Sequence, residues 1–202
     1  MNDAAQTPPL PALFVAACAS MESVDFRSEL TVRSLPSPAG VAPYSIALAA
    51  DVLAAESAGG HTASDSLHGA GRFILLYDPE EPAAWGGAFR VVCFAQAPLE
   101  NEIALDPFLA DVTWSWLVDA LDSRGARYDN ASGTATRTLS TGFGELTDQG
   151  DAAQIELRAS WSPLDTDMST QLQAWGELLC MLAGLPPSAD AVSLAAHRRE
   201  RG

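Results

Sequence analysis

Three charged side chains on two neighbouring stretches offer the clearest chemistry in this sequence: Arg137 in GTATRTLST, and Glu156 and Arg158 in QIELRASW. Both stretches read as strands, Gly142-Phe143-Gly144 ends the first, and the second pairs with it as a hairpin. Guanidinium groups gathered on one sheet face clamp a carboxylate or phosphate through paired donors. Arg137, Glu156 and Arg158 therefore form a candidate anion site, if the pairing brings them to one face. The plainer alternative is an exposed Glu–Arg ladder of small energetic weight. Arg90 joins the candidate set, because an arginine inside the apolar run FRVVCFA needs a partner or an open edge.

Other chemistry is hard to place. The sequence has no GxSxG elbow, no GxxxxGK[ST] loop and no HExxH pair. All eleven Lys+Arg positions are arginine, which removes Schiff-base chemistry and the phosphate-binding lysine of a P-loop. Cys18, Cys93 and Cys180 lie far apart in apolar runs, with no CxxC spacing, and read as buried reduced thiols. His61 and His68, with Asp65 between them, fall in a Gly/Ser/Ala-rich loop over 54–71 and read as solvated rather than as metal ligands. No metal, no cofactor and no catalytic residue is expected.

The 202 residues, 48% of them hydrophobic, suffice for one core and one domain. The net charge of −15 repels phosphate backbones and anionic lipid surfaces, so neither nucleic acid nor membrane is an expected partner. No apolar run is long enough to span a bilayer. The expected location is the cytoplasm. Residues 8–20 are apolar and end in a box, VAAC, that looks like a lipoprotein cleavage site, but the basic n-region of a signal peptide is missing. Leu10, Leu13, Phe14, Ala17 and Met21 instead follow the spacing of an amphipathic first helix.

The elements that must position these residues follow from periodicity. Residues 1–9 read as loose, 10–22 as a helix, 29–35 and 44–52 as half-buried strands, and 73–77 and 89–95 as doubly apolar strands in the middle of a sheet. A helix over 106–125 has Asp106 as its N-cap, Pro107 in its first turn and Gly125 as its stop. Its apolar arc is wide enough to carry Trp114 and Trp116 on opposite flanks. The strands 133–141 and 154–161 follow, then a helix over 168–183 with Met168, Leu172, Trp175, Leu178, Leu179 and Leu182 on one stripe. The remaining face of that helix carries one charge, Glu177, beside Cys180 and Met181. Trp114, Trp116, Trp175, Cys180 and Met181 are accordingly expected to offer a surface to a protein partner or to a second copy. The domain spans 10–187, and the tail 188–202 reads as disordered.

Several segments together resemble a known family. APYS at 42–45, DP at 78–79 with Trp85 and Phe89-Arg90, WSWL at 114–117, GT at 133–134 with Thr136-Arg137, QIELRASW at 154–161 and LAGLPP at 182–187 resemble, in the same order, the actinobacterial family catalogued as domain of unknown function 3000. The resemblance covers about residues 10–187 and implies no assigned activity. The element order α-β-β-β-β-α-β-β-α is also similar to that of small acidic secretion chaperones with one strand added. The expected fold is therefore α+β, a mixed or antiparallel sheet of about six strands packed against three helices. The expected role is a non-catalytic, protein-binding or chaperone-like accessory module. The alternative is a small-molecule-binding protein or enzyme with its anion site at Arg137, Glu156 and Arg158.

Overall fold

The computed structural model describes residues 9–53 and 68–186. The expectations for the first eight residues, for His61 and Asp65, and for the tail from 187 fall outside them. Six strands, β1 (Leu30–Leu35), β2 (Tyr44–Val52), β3 (Gly69–Tyr77), β4 (Phe89–Leu99), β5 (Tyr128–Thr141) and β6 (Asp151–Pro163), form one sheet in the order β1-β2-β3-β4-β6-β5. Every neighbouring pair is antiparallel. Four α-helices lie among the described residues: α1 (Ala12–Glu22), α2 (Asn101–Ala104), α3 (Leu109–Ser123) and α4 (Met168–Leu182). The fold is α+β as expected, with the single turn α2 added. None of these helices is long and apolar enough to cross a membrane.

All four helices lie on one face of the sheet. Phe14 of α1 packs its ring on Tyr44 and Tyr77, and Trp114 of α3 lies over Gly133. Arg137 reaches the carbonyls of Ala104 and Asp106, at the end of α2 and just beyond it. These strand residues share one alternation with Phe73, Leu75, Val91, Cys93, Leu157 and Trp161, all buried. The core forms between that alternation and α4, which touches α1, α3 and the strands β2, β3, β4 and β6.

α4, rather than α3, is the helix the rest packs around. Trp175, Leu172, Leu178 and Leu179 are fully buried or nearly so. A Cβ on Gly71 would meet Leu179 Cδ2 at 2.6 Å, so the strand must be bare there for the helix to come this close. Trp161 donates its indole N–H to Gln171 Oε1 at 2.7 Å. Gln171 donates onward to the carbonyl of Arg127, so these two buried polar side chains are both partnered.

α3 begins later than its caps suggest. Asp106 accepts from the backbone N–H of Phe108 at 2.9 Å, a local turn, and the helix starts at Leu109. The strands run longer than expected. β3 extends back to Gly69 and β5 to Tyr128, because pairing with β2, β4 and β6 orders residues whose own propensity is that of loops.

Candidate functional site on the uncovered sheet face

Among the described residues, no α-helix lies on the second face of the sheet. Its residues form cross-strand rows fixed by the register. One row runs Arg33–Ala49–Arg72–Phe94–Arg158–Thr134 across all six strands. Arginine thus recurs on β1, β3 and β6. At the usual strand spacing, the outer two each lie roughly 10 Å from the middle one. The next row is Thr31–Asp51–Ala70–Gln96–Glu156–Thr136, and it sets a carboxylate beside each outer arginine. Arg33 approaches Asp51 at 3.5 Å and Arg158 holds Glu156 at 2.6 Å. The middle arginine has Ala70 and Gln96 in those places. These rows border a hollow of ≈ 590 Å³ whose apolar floor includes Ala49, Ile74, Val92 and Phe94. The Arg158 guanidinium sits 5.8 Å from the centre of the Phe94 ring, within reach of a cation–π contact.

The structure does not bring together the three residues that the sequence groups. Glu156 and Arg158 lie on the uncovered face, but Arg137 pairs with Ile155 and so points to the helix side. There it donates to the carbonyls of Ala104 (3.2 Å) and Asp106 (2.7 Å) and fixes the turn between α2 and α3. Parity carries this signal: Arg137 shares its alternation with Gly133 and Ala135, the helix side of 133–141. Arg90 is on the uncovered face and is fully engaged. It donates to Ser160 Oγ (2.5 Å), Ser162 Oγ (3.0 Å), Ser132 Oγ (3.5 Å) and the Asn130 carbonyl (3.1 Å). It thereby ties β4 to β6 and to the bulge in β5, where Asn130 has φ 54°. Desolvation lowers its pKa. Arg90 braces the sheet.

The expected partner surface is rearranged as well. Trp175 and Cys180 are fully buried, whereas Trp114, Trp116 and Met181 are half-buried against the core. The face of α4 expected to be exposed is covered by the segment that leads into β1. A Cβ on Gly176 would meet Leu30 at 3.2 Å and Phe26 at 3.4 Å. Arg27 clips that segment in place by donating to the Pro186 carbonyl at 2.7 Å and to Glu29 at 2.8 Å. Glu177 is paired with Arg124 at 3.2 Å inside this interface. The hydrogen bond from Arg27 holds the Glu29 carboxyl down at about 2. Burial pushes the Cys93 thiol up to about 12 and the Cys180 thiol to about 11, the opposite of what a nucleophile requires. Cys18 is also raised by burial.

Sequence alone does not single out Arg33 and Arg72. Arg72 sits in GAGR, at the end of a glycine-rich run, and its place in the row appears only once β3 is paired on both sides.

Among the described residues, a one-layer helix cover and an arginine-crossed sheet define an open-faced α+β sandwich with a hollow on its second face. The model of the family described as Protein of unknown function (DUF3000) matches residues 10–192, and the chain belongs to that family. No curated protein and no solved structure matches it.

Proposed function

We propose that this protein is a non-catalytic accessory module that works by binding a ligand on the uncovered face of its sheet. The observation that carries the reading is the hollow of ≈ 590 Å³ on that face, within the size range of small-molecule sites. The groups around it are suited to holding rather than reacting. Arginine does not give up its proton near neutral pH and so cannot serve as a base. Asp51 and Glu156 are both tied to arginines. The thiol that borders the hollow, Cys93, lies far above the range of a reactive cysteine. Three free thiols, two of them buried, suit a reducing cytoplasm.

Native mass spectrometry on the full chain recovered gently from its own cells tests this. Ala70 borders the hollow, and Ala70→Trp fills it from the middle of the sheet. A bound species carried by the wild type and missing from a folded Ala70→Trp variant is the expected result. Equal retention by both proteins rules out this face.

A further inference from the structure

Eight arginines lie among the described residues. Arg27, Arg33, Arg124, Arg127 and Arg158 are ion-paired. Arg90 and Arg137 are engaged by serine hydroxyls and backbone carbonyls. Arg72 alone among them has neither an ion pair nor a hydrogen bond, and it stands at the centre of the row. Its neighbours explain this. Where each outer arginine faces a carboxylate, Arg72 is bordered by Ala70 and Gln96, and Gln96 accepts a hydrogen bond from Gln154 at 3.1 Å. The small side chains of Ala49 and Ala70 leave the space beside the guanidinium open.

We infer that Arg72 is the anchor for an oxyanion, a carboxylate or phosphate, carried on a flat apolar body that lies along Ile74, Val92 and Phe94. The inference rests on the uncovered face being the binding surface and adds the class of ligand. A guanidinium offers paired donors in the geometry that such an anion accepts. The floor beside it is apolar and includes an aromatic ring, which suits a planar body. The charge of the whole chain narrows the choice further. At a net −15, the protein repels a polyanion from a distance. Only contacts within a Debye length of ~8–10 Å favour a negative ligand here. That selects a small ligand with one acidic group over a nucleic-acid backbone. The Arg33–Asp51 and Arg158–Glu156 pairs flank the anchor and leave the uncompensated positive charge at one point.

The test uses the ¹⁵N-labelled full chain and four probes: 2-naphthoate, 2-naphthyl phosphate, neutral 2-naphthol, and inorganic phosphate. Amide shifts at Arg72, Phe94 and Arg158 report binding, and their titration gives Kd. One or both naphthyl anions should move these amides, and which of them binds tighter separates a carboxylate from a phosphate source. Naphthol and bare phosphate should each bind about tenfold more weakly or worse. Arg72→Gln should weaken the better anion by about tenfold while leaving the thermal midpoint in place, because Arg72 has no partner to lose. Arg72→Lys, which keeps the charge but not the fork, should fall between. Naphthol binding as well as the anions, or an Arg72→Gln variant with unchanged Kd, overturns the anchor and leaves the face standing as a binding surface. Absence of shifts on this face from any probe overturns the ligand class. In that case the Ala70→Trp comparison separates the two ideas: a cellular ligand lost from that variant keeps the face as the binding surface, and none lost discards both.

Discussion

Strand β3 shows the two faces of the molecule side by side. Gly71, Phe73 and Leu75 point to the helices and are buried, and the glycine is required because α4 lies against it. Ala70, Arg72 and Ile74 alternate with them and point the other way, into an open hollow. Within the uncovered face, Arg90 on β4 and Arg158 on β6 differ from each other. One is fixed by four hydrogen bonds, and the other is 71% exposed over a phenylalanine ring. The helix face is specified by close packing, where every volume is set by a neighbour. The uncovered face carries charged and apolar residues together at positions that packing does not dictate. Residues that folding does not require are where a function can be read.

Substitutions on the two faces should therefore differ sharply. Trp175 is the largest side chain of α4 and fully buried. Trp175→Ala should cost about 3–5 kcal/mol in urea unfolding. A change under ~1 kcal/mol would mean that α4 is not the packing centre. Gly71→Ala drives a Cβ into Leu179. It should cost roughly 1–3 kcal/mol. Ala70→Ser, one residue along and on the other face, should stay within about 0.5 kcal/mol. Equal costs would erase the distinction between the faces. The two arginines that the sequence groups should separate in the same way. Arg137→Ala releases two backbone carbonyls at the α2–α3 turn. It should cost about 1–2 kcal/mol by urea unfolding. Arg158→Ala breaks only an exposed pair. It should cost at most ~1 kcal/mol.

The Arg27–Glu29 clip gives a smaller, pH-dependent effect. The folded carboxyl, at about 2, lies below its ordinary 4.5, so its contribution is complete above the ordinary value and fades as pH falls toward the folded one. The difference in urea midpoint between wild type and Glu29→Gln should be constant at neutral pH and shrink steadily between 4.5 and about 2. A difference that grows on acidification would reverse the assignment. The smallest effect concerns the thiols. Cys93 and Cys180 should react with a disulfide reagent only as the protein unfolds; fast native-state labelling of Cys180 would show that the cover over α4 opens, and of Cys93 that the helix layer parts from the sheet.

Much of this is legible in the residues. The two doubly apolar runs belong to β3 and β4, which do take the middle of the sheet. Tyr44–Val52 is bounded to the residue, because its period of two is unbroken. The last helix is found with its buried stripe, since Met168, Leu172, Trp175 and Leu179 recur at helical spacing. Its second face is misread from sequence. A face with one charge reads as exposed until the Phe26–Leu30 segment, clipped by Arg27, is seen lying on it. Arg137 falls in with Glu156 and Arg158 because hairpin pairing is inferred without its register, and a shift of one residue moves a side chain to the other face.

Periodicity, turn residues and composition determined the elements, the antiparallel hairpin of β5 and β6, the single core and the acidic charge. These are local or summed properties, and a chain carries them in its own order. Only tertiary structure decided that β6 lies between β4 and β5, that the helices all cover one face, and that Arg33, Arg72 and Arg158 stand in one row. Steps of 39 and 86 positions separate those three residues in sequence. What aligns them is the register of the strand pairings between them, and a register is a relation between segments that no segment contains alone.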